Sequence, residues 1–281
     1  MHRLLASAFA LSLIALFVAS PQVADAKPKP RPTPTPTVRP SATPSPSASP
    51  TPTATPTATA TPTPSPTVAP TYLDGIDVSY HQGMIDWQRV AGAGKRFAFV
   101  RATAGTLTAD TAYGANLSGG RNAGLAVGSY HMANPDGTTN DAMNEANWFL
   151  GHAAIASGDL LPVLDLEVSN GLTPAALTTW AQTWLGQVSA ATGVRAIIYT
   201  NPNFWSSSMA DTDWFARNGY SVLWIANWTS ASQPTVPAGE WGVHGWTFWQ
   251  YSSTGSVPGI TGPVDLDRYK GTSLPASLLV P

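Results

Sequence analysis

Every tryptophan and every tyrosine of this chain lies beyond residue 71. An aromatic core can therefore form only in the C-terminal part, and what precedes it must be explained without one. Residues 27–70 are almost wholly Pro, Thr, Ser and Ala, with no aromatic residue and no apolar side chain larger than Val. Such a segment cannot bury enough surface to offset the entropy of ordering it. It is expected to be a disordered, polyproline-like linker, at ~3.1 Å per residue where extended. Its Ser and Thr beside Pro invite O-glycosylation in a secreted protein. Ahead of it, a basic start (His2, Arg3), an apolar run over 4–19 and the exit Ala24-Asp25-Ala26 read as a signal peptide, residues 1–26. The run falls short of the ~20 residues that span a bilayer. Cleavage after Ala26, no transmembrane span in the mature protein, and a secreted or cell-wall location are expected.

The folding part is then residues 71–281. About 210 residues suffice for one large core or barrel. With no cysteine in the chain, packing must replace disulfides, and cysteine nucleophiles and thiolate metal sites are excluded. A net charge of -2 without a basic stripe argues against nucleic acid. His2, His81, His131, His152 and His244 show no HExxH or other ligand spacing, and GxSxG, P-loop and GxGxxG motifs are missing. No metal and no cofactor are expected, and the protein is expected to be a monomer.

From residue 72 onward, short apolar runs alternate with helical patterns. Strands are expected at 75–79, 97–103, 125–133, 161–168, 195–200, 221–228, 247–251 and 264–267. Helices are expected at 85–93, 113–123, 140–156 and 173–192, with one helical turn at 203–209. The 173–192 helix has Thr173 as N-cap, Pro174 at its first position, Gly193 as stop, and a stripe of Leu177, Trp180, Trp184, Val188 and Ala191. Five β/α units followed by three strands predict an α/β fold, an irregular TIM-like barrel, with an open doubly wound sheet as the alternative.

The strongest chemical signal is Leu164-Asp165-Leu166-Glu167. Alternation on a strand puts Asp165 and Glu167 on one face. Two adjacent carboxyls raise each other's pKa, and burial raises both, which is what a general acid needs. Read alone, the pair is equally a helix cap or an arginine partner. Asp77 and Asp265 also sit at strand ends, and in a barrel such ends converge on one pocket. Asp267 shares the parity of Asp265, so pattern alone does not separate them. Asp86 and Asp110 read as caps or solvated acids. The same parity nominates Arg101, Tyr130, Tyr199, Trp228 and Gln250 as pocket residues suited to a sugar.

The segments GIDVSYHQGMIDW (75–87), FAFVRAT (97–103), AGLAVGSYHMA (123–133), PVLDLE (162–167), IIYTN (197–201), LWIANW (223–228), FWQYSSTGSVPGI (248–260) and VDLDRY (264–269) resemble, in order, the glycoside hydrolases of family 25, the Ch-type lysozymes. The resemblance implies a modified barrel of about five β/α units and three further strands. It implies cleavage of the β-1,4 bond between N-acetylmuramic acid and N-acetylglucosamine in peptidoglycan. It makes Glu167 the general acid/base and Asp165 its partner toward the substrate acetamido group. Asp77 and Asp265 become the remaining catalytic acids, Asp265 being preferred because it follows the valine of the VD motif. Two departures stand out: many relatives have Glu at the position of Ala104 and His at that of Asn227. The nucleophile, a carboxylate or the substrate's own acetamido oxygen, stays open. Two other functions compete: a non-catalytic wall-binding module, and a hydrolase of another N-acetylated glycan such as chitin.

Overall fold

The computed structural model describes residues 72–281, apart from 238–240 and 242–243. The expected signal peptide and linker lie outside the described residues. In chain order the elements are β1 (Leu73–Val78), α1 (Trp87–Gly92), β2 (Phe97–Ala104), β3 (Thr108–Ala109), α2 (Tyr113–Asn122), β4 (Ala126–Met132), α3 (Asp141–His152), β5 (Val163–Asp165) and α4 (Pro174–Thr192). They continue with β6 (Ile197–Thr200), α5 (Pro202–Ser208), α6 (Trp214–Arg217), β7 (Leu223–Ala226), β8 (Phe248–Gly255) and β9 (Val264–Tyr269).

The strands close into an eight-stranded barrel. From β1 through β2, β4, β5, β6 and β7 to β8, neighbours are parallel. β9 is antiparallel to both β8 and β1 and completes the ring. β3 is a short hairpin arm on β2, outside the ring. Parallel neighbours need long crossovers, and the helices supply them up to β7. The expected five β/α units and three-strand closure are what forms, and the open sheet is not.

Helix α4 follows its sequence signals closely. Thr173 accepts a hydrogen bond from the Ala176 N–H, Pro174 opens the helix, and Gly193 ends it at φ 74°. Leu177, Trp180, Trp184 and Val188 are buried, whereas Ala191, expected on the same stripe, is exposed. The 161–168 strand is shorter than expected. At its start Pro162 has no N–H, and the Leu161 N–H donates to Leu278 of the C-terminal tail, which bridges to Leu160, while the Leu160 N–H donates to Val127 of β4.

Strand alternation sorts the barrel into two faces. On β2, Ala98, Val100 and Ala102 face the helices, while Phe97 and Phe99 fill the interior. Val163, Ile197, Trp224 and Phe248 join them inside, and Leu160, Leu161 and Leu278 plug the end from which the parallel strands start. The C-terminal strand ends therefore stand open above an aromatic floor. Glycine makes that floor possible: Gly75 leaves the space that the Phe97 ring occupies. At Gly128 of β4, a Cβ would lie 2.8 Å from the Phe99 ring and 2.9 Å from Leu160. Gly128→Ala should accordingly destabilise the fold by ~1–3 kcal/mol through overpacking, read as a lower urea midpoint at unchanged slope.

Candidate active site

The open end of the barrel holds a cleft of about 300 Å³, and all nine expected site residues line it. Asp77 comes from β1, Arg101 from β2, Tyr130 from β4, Asp165 from the last position of β5, Tyr199 from β6, Gln250 from β8 and Asp265 from β9. Glu167 and Trp228 each stand two residues past a strand end. Glu167 keeps the strand's alternation because Leu166 is tied to β6 twice. Its N–H donates to the Tyr199 carbonyl at 2.9 Å, and its carbonyl accepts from the Thr200 hydroxyl at 2.9 Å.

Asp165 and Glu167 bring their carboxyls side by side at the end of β5, close enough to act on each other. Burial raises the pKa of Asp165 well above the usual carboxylate range, and the Glu167 charge raises it further. Burial also raises Glu167, opposed by hydrogen bonds from Asn201 and Asp165. Burial thus raises both carboxyls, and their proximity couples the two titrations. Asn201 Nδ2 donates to Glu167 Oε2 at 3.2 Å, while its own Oδ1 caps α5. Asp165 Oδ1 is buried without a hydrogen-bond partner.

Gln250 organises the opposite wall. Its Nε2 donates to Asp77 Oδ2 at 2.8 Å, and its Oε1 accepts from the Tyr199 hydroxyl at 3.2 Å and Trp228 Nε1 at 3.1 Å. The Trp228 ring is anchored by its N–H yet 63% exposed, which leaves a face free for a ligand. Arg101 is held by Asp110, Nε to Oδ2 at 2.9 Å, and lies under the Tyr80 ring at 5.1 Å. Asp110 is therefore not a solvated acid: it is buried, and also accepts the Tyr80 and Ala112 N–H groups. Asp86 does act as a cap, accepting from the Arg89 N–H.

Asp265 and Asp267 separate cleanly in space. Asp265 lines the cleft, and burial raises its pKa to about 6. Asp267 lies one layer below with no exposed surface, and burial raises it to about 8. Trp224 Nε1 donates to Asp267 Oδ1 at 2.8 Å. Asp77 is raised well above the usual range by burial, then by Asp267 and Asp265. Trp224, Asn201 and Met132 were not nominated by sequence pattern, which also left Asp267 unseparated from Asp265. Trp224 shares the parity of Trp228, and Asn201 before Pro202 is a helix-start signature, so both had a readable signal. Asn227, one of the two departures, lines a neighbouring hollow of about 270 Å³ that shares Glu167 and Trp228 with the cleft. Its Oδ1 accepts the Thr235 N–H at 2.9 Å. Among the described residues, no group of three or more His, Cys, Asp or Glu is arranged to hold a metal ion. Nor is any helix among them long and apolar enough to cross a membrane.

A barrel with acids gathered at its strand ends beside an exposed indole defines a glycoside hydrolase. The family model described as Glycosyl hydrolases family 25 matches residues 76–260, and the chain belongs to that family. Lysozyme M1 of Streptomyces globisporus is 36% identical over 210 residues, covering 72% of this chain and 69% of that protein. An N,O-diacetylmuramidase of Chalaropsis sp. is 32% identical over 209 residues, covering 69% and 96% respectively. Among solved structures, the bacterial lysozyme from Streptomyces coelicolor superposes with TM-score 0.66 at 35% identity, covering 72% of this chain and 93% of that one. A family GH25 lysozyme from Aspergillus fumigatus gives 0.64 at 26%, covering 72% and 95%.

The buried acids make stability depend on pH with a definite sign. Asp265 and Asp267 start from 3.8 and are raised to about 6 and about 8. Between the unfolded and folded values the native state holds protons that the unfolded chain has released, so stability falls as pH rises. Urea midpoints should decline steadily from pH 5 to pH 8. A flat or rising profile would contradict the assigned burial of these carboxyls.

Proposed function

We propose that this chain is a lysozyme of the muramidase type, hydrolysing the β-1,4 bond between N-acetylmuramic acid and N-acetylglucosamine in bacterial peptidoglycan. The observation that carries this reading is the Asp165–Glu167 carboxyl pair at the cleft mouth, next to the anchored, exposed Trp228.

Glu167 is the general acid. Its Oε2 accepts the Asn201 amide, which leaves the other oxygen to carry the proton. Burial keeps that proton at a higher pH than a solvated glutamate would. As the glycosidic C–O bond breaks, the proton passes to the leaving sugar's oxygen. The carboxylate left behind is stabilised by the Asn201 amide and the proton of Asp165. Asp165 also meets the substrate's acetamido group. Asp265, raised only to about 6, supplies negative potential toward the cationic anomeric carbon, and Asp77 lines the cleft beside it. Water then adds at that carbon and returns a proton to Glu167, closing the cycle. Arg101, Tyr130, Tyr199, Trp228 and Gln250 hold the glycan, with the Trp228 face as a sugar platform.

Residues 71–281 are the catalytic barrel in this reading. Residues 1–26 direct secretion, and residues 27–70 are a spacer between the enzyme and whatever it is tethered to. The enzyme acts outside the cell as a monomer on the peptidoglycan strand. A wall-binding module would need the aromatic cleft but not carboxyls held in it at the cost of burial, which disfavours that alternative.

Glu167→Gln keeps the shape and the Asn201 contact and removes the transferable proton. It should lower kcat on purified peptidoglycan by ~10²–10⁴-fold, the usual worth of a general acid. The variant should still co-sediment with cell walls. Near wild-type turnover would remove Glu167 from this role.

A further inference from the structure

One carboxyl group in the barrel has no part in the scheme above. Asp267 has no solvent exposure, and it sits in the middle of the interior, where an apolar side chain would be the ordinary occupant. On β9 it is paired with Gly75 of β1 on one side and Gln250 of β8 on the other. Its Oδ1 accepts the Trp224 indole N–H at 2.8 Å, and its Oδ2 is buried without a conventional donor. The neighbouring carboxyl is that of Asp77, close enough to interact with it side chain to side chain. Two carboxyl groups in such contact cannot both be ionised, so one proton must lie between them.

We propose that Asp267 is a positioning residue: it shares one proton with Asp77, and the resulting hydrogen bond fixes the Asp77 carboxyl while its other oxygen fixes the Trp224 floor of the cleft. The inference rests on the carboxylate reading of the active site. Trp224 connects the two effects, since its ring is stacked on Phe99 at 4.3 Å and packs on Tyr199 at 4.4 Å while lining the cleft. Asp77 is held from the other side by Gln250. A bare carboxylate at position 267 would put a second buried negative charge beside Asp77. The groups facing Asp267 are Asp77 on β1, Trp224 on β7, Gln250 on β8, Asp265 on β9 and Lys95 before β2. Lys95 is the only cation among those named. It is buried, its pKa is lowered by that burial, and Asp74 competes for its charge.

The test combines two variants with a titration of aspartate side-chain carboxyl carbons by ¹³C NMR, the Asp77 signal being assigned by its loss in Asp77→Asn. In Asp267→Asn an amide donor replaces the shared proton and the repulsion disappears. Asp77 should then ionise at clearly lower pH than in the wild type, and activity on peptidoglycan should stay within about tenfold of it. Asp267→Leu leaves Asp77 without its partner. It should keep its near-UV circular dichroism but lose about 100-fold in kcat, with KM changed by less than about threefold. An Asp77 titration identical in wild type and Asp267→Asn would overturn the shared proton, whether or not Asp267→Leu folds. Full activity in Asp267→Leu, or equal inactivity of the two folded variants, would overturn the positioning role. A wild type that releases no muramic-acid ends would sink the muramidase reading, while the titration would still decide the proton.

Discussion

The rest of the structure depends on one costly arrangement: carboxyl groups placed inside a barrel whose floor is aromatic. Ionised acids do not belong in such surroundings, and the protein answers by retaining protons rather than by neutralising each acid with a base. Asp77, Asp165, Glu167, Asp265 and Asp267 are all raised, with burial the largest cause in every case. Among the described residues, Arg101 is the one Lys or Arg that enters the cleft, and Asp110 already holds its guanidinium. The pocket thus keeps transferable protons near neutrality, which is what protonating a poor leaving group demands.

That cost is tolerated because the scaffold is overdetermined elsewhere. Seven strands run parallel with their C-terminal ends at one rim, and β9 closes the ring from the opposite direction. The reversal of β9 has a chemical consequence. Its rim end is its start, so Asp265 reaches the cleft while Asp267, two residues later, drops a layer into the interior. The same tetrapeptide, Val264-Asp265-Leu266-Asp267, thereby supplies one acid to the solvent side and one to the core.

Much of this was legible in the residues because the period of a strand is two. Parity placed Asp165 with Glu167 and brought Arg101, Tyr130, Tyr199 and Gln250 to the same cleft without any knowledge of how the strands close. Parity gives a face but not a depth, which is why Asp265 and Asp267 looked alike and why Trp224 passed unnoticed beside Trp228. Asp110 was misread for a different reason. Its partner Arg101 is reached through the β3 hairpin arm, and no periodic pattern announces a two-residue strand. The length of β5 was overestimated in part because the C-terminal tail takes the backbone N–H of Leu161, a contact across more than a hundred residues that local pattern cannot carry.

The most direct measurement of the central claim is the chemistry of the new ends. Purified peptidoglycan digested with the wild-type protein, reduced and examined by mass spectrometry, should yield fragments ending in reduced N-acetylmuramic acid. Fragments ending in reduced N-acetylglucosamine would place the cut at the other glycosidic bond. No new ends at all from a folded protein that binds the wall would contradict an enzyme, and would leave the acid-lined cleft as a binding site.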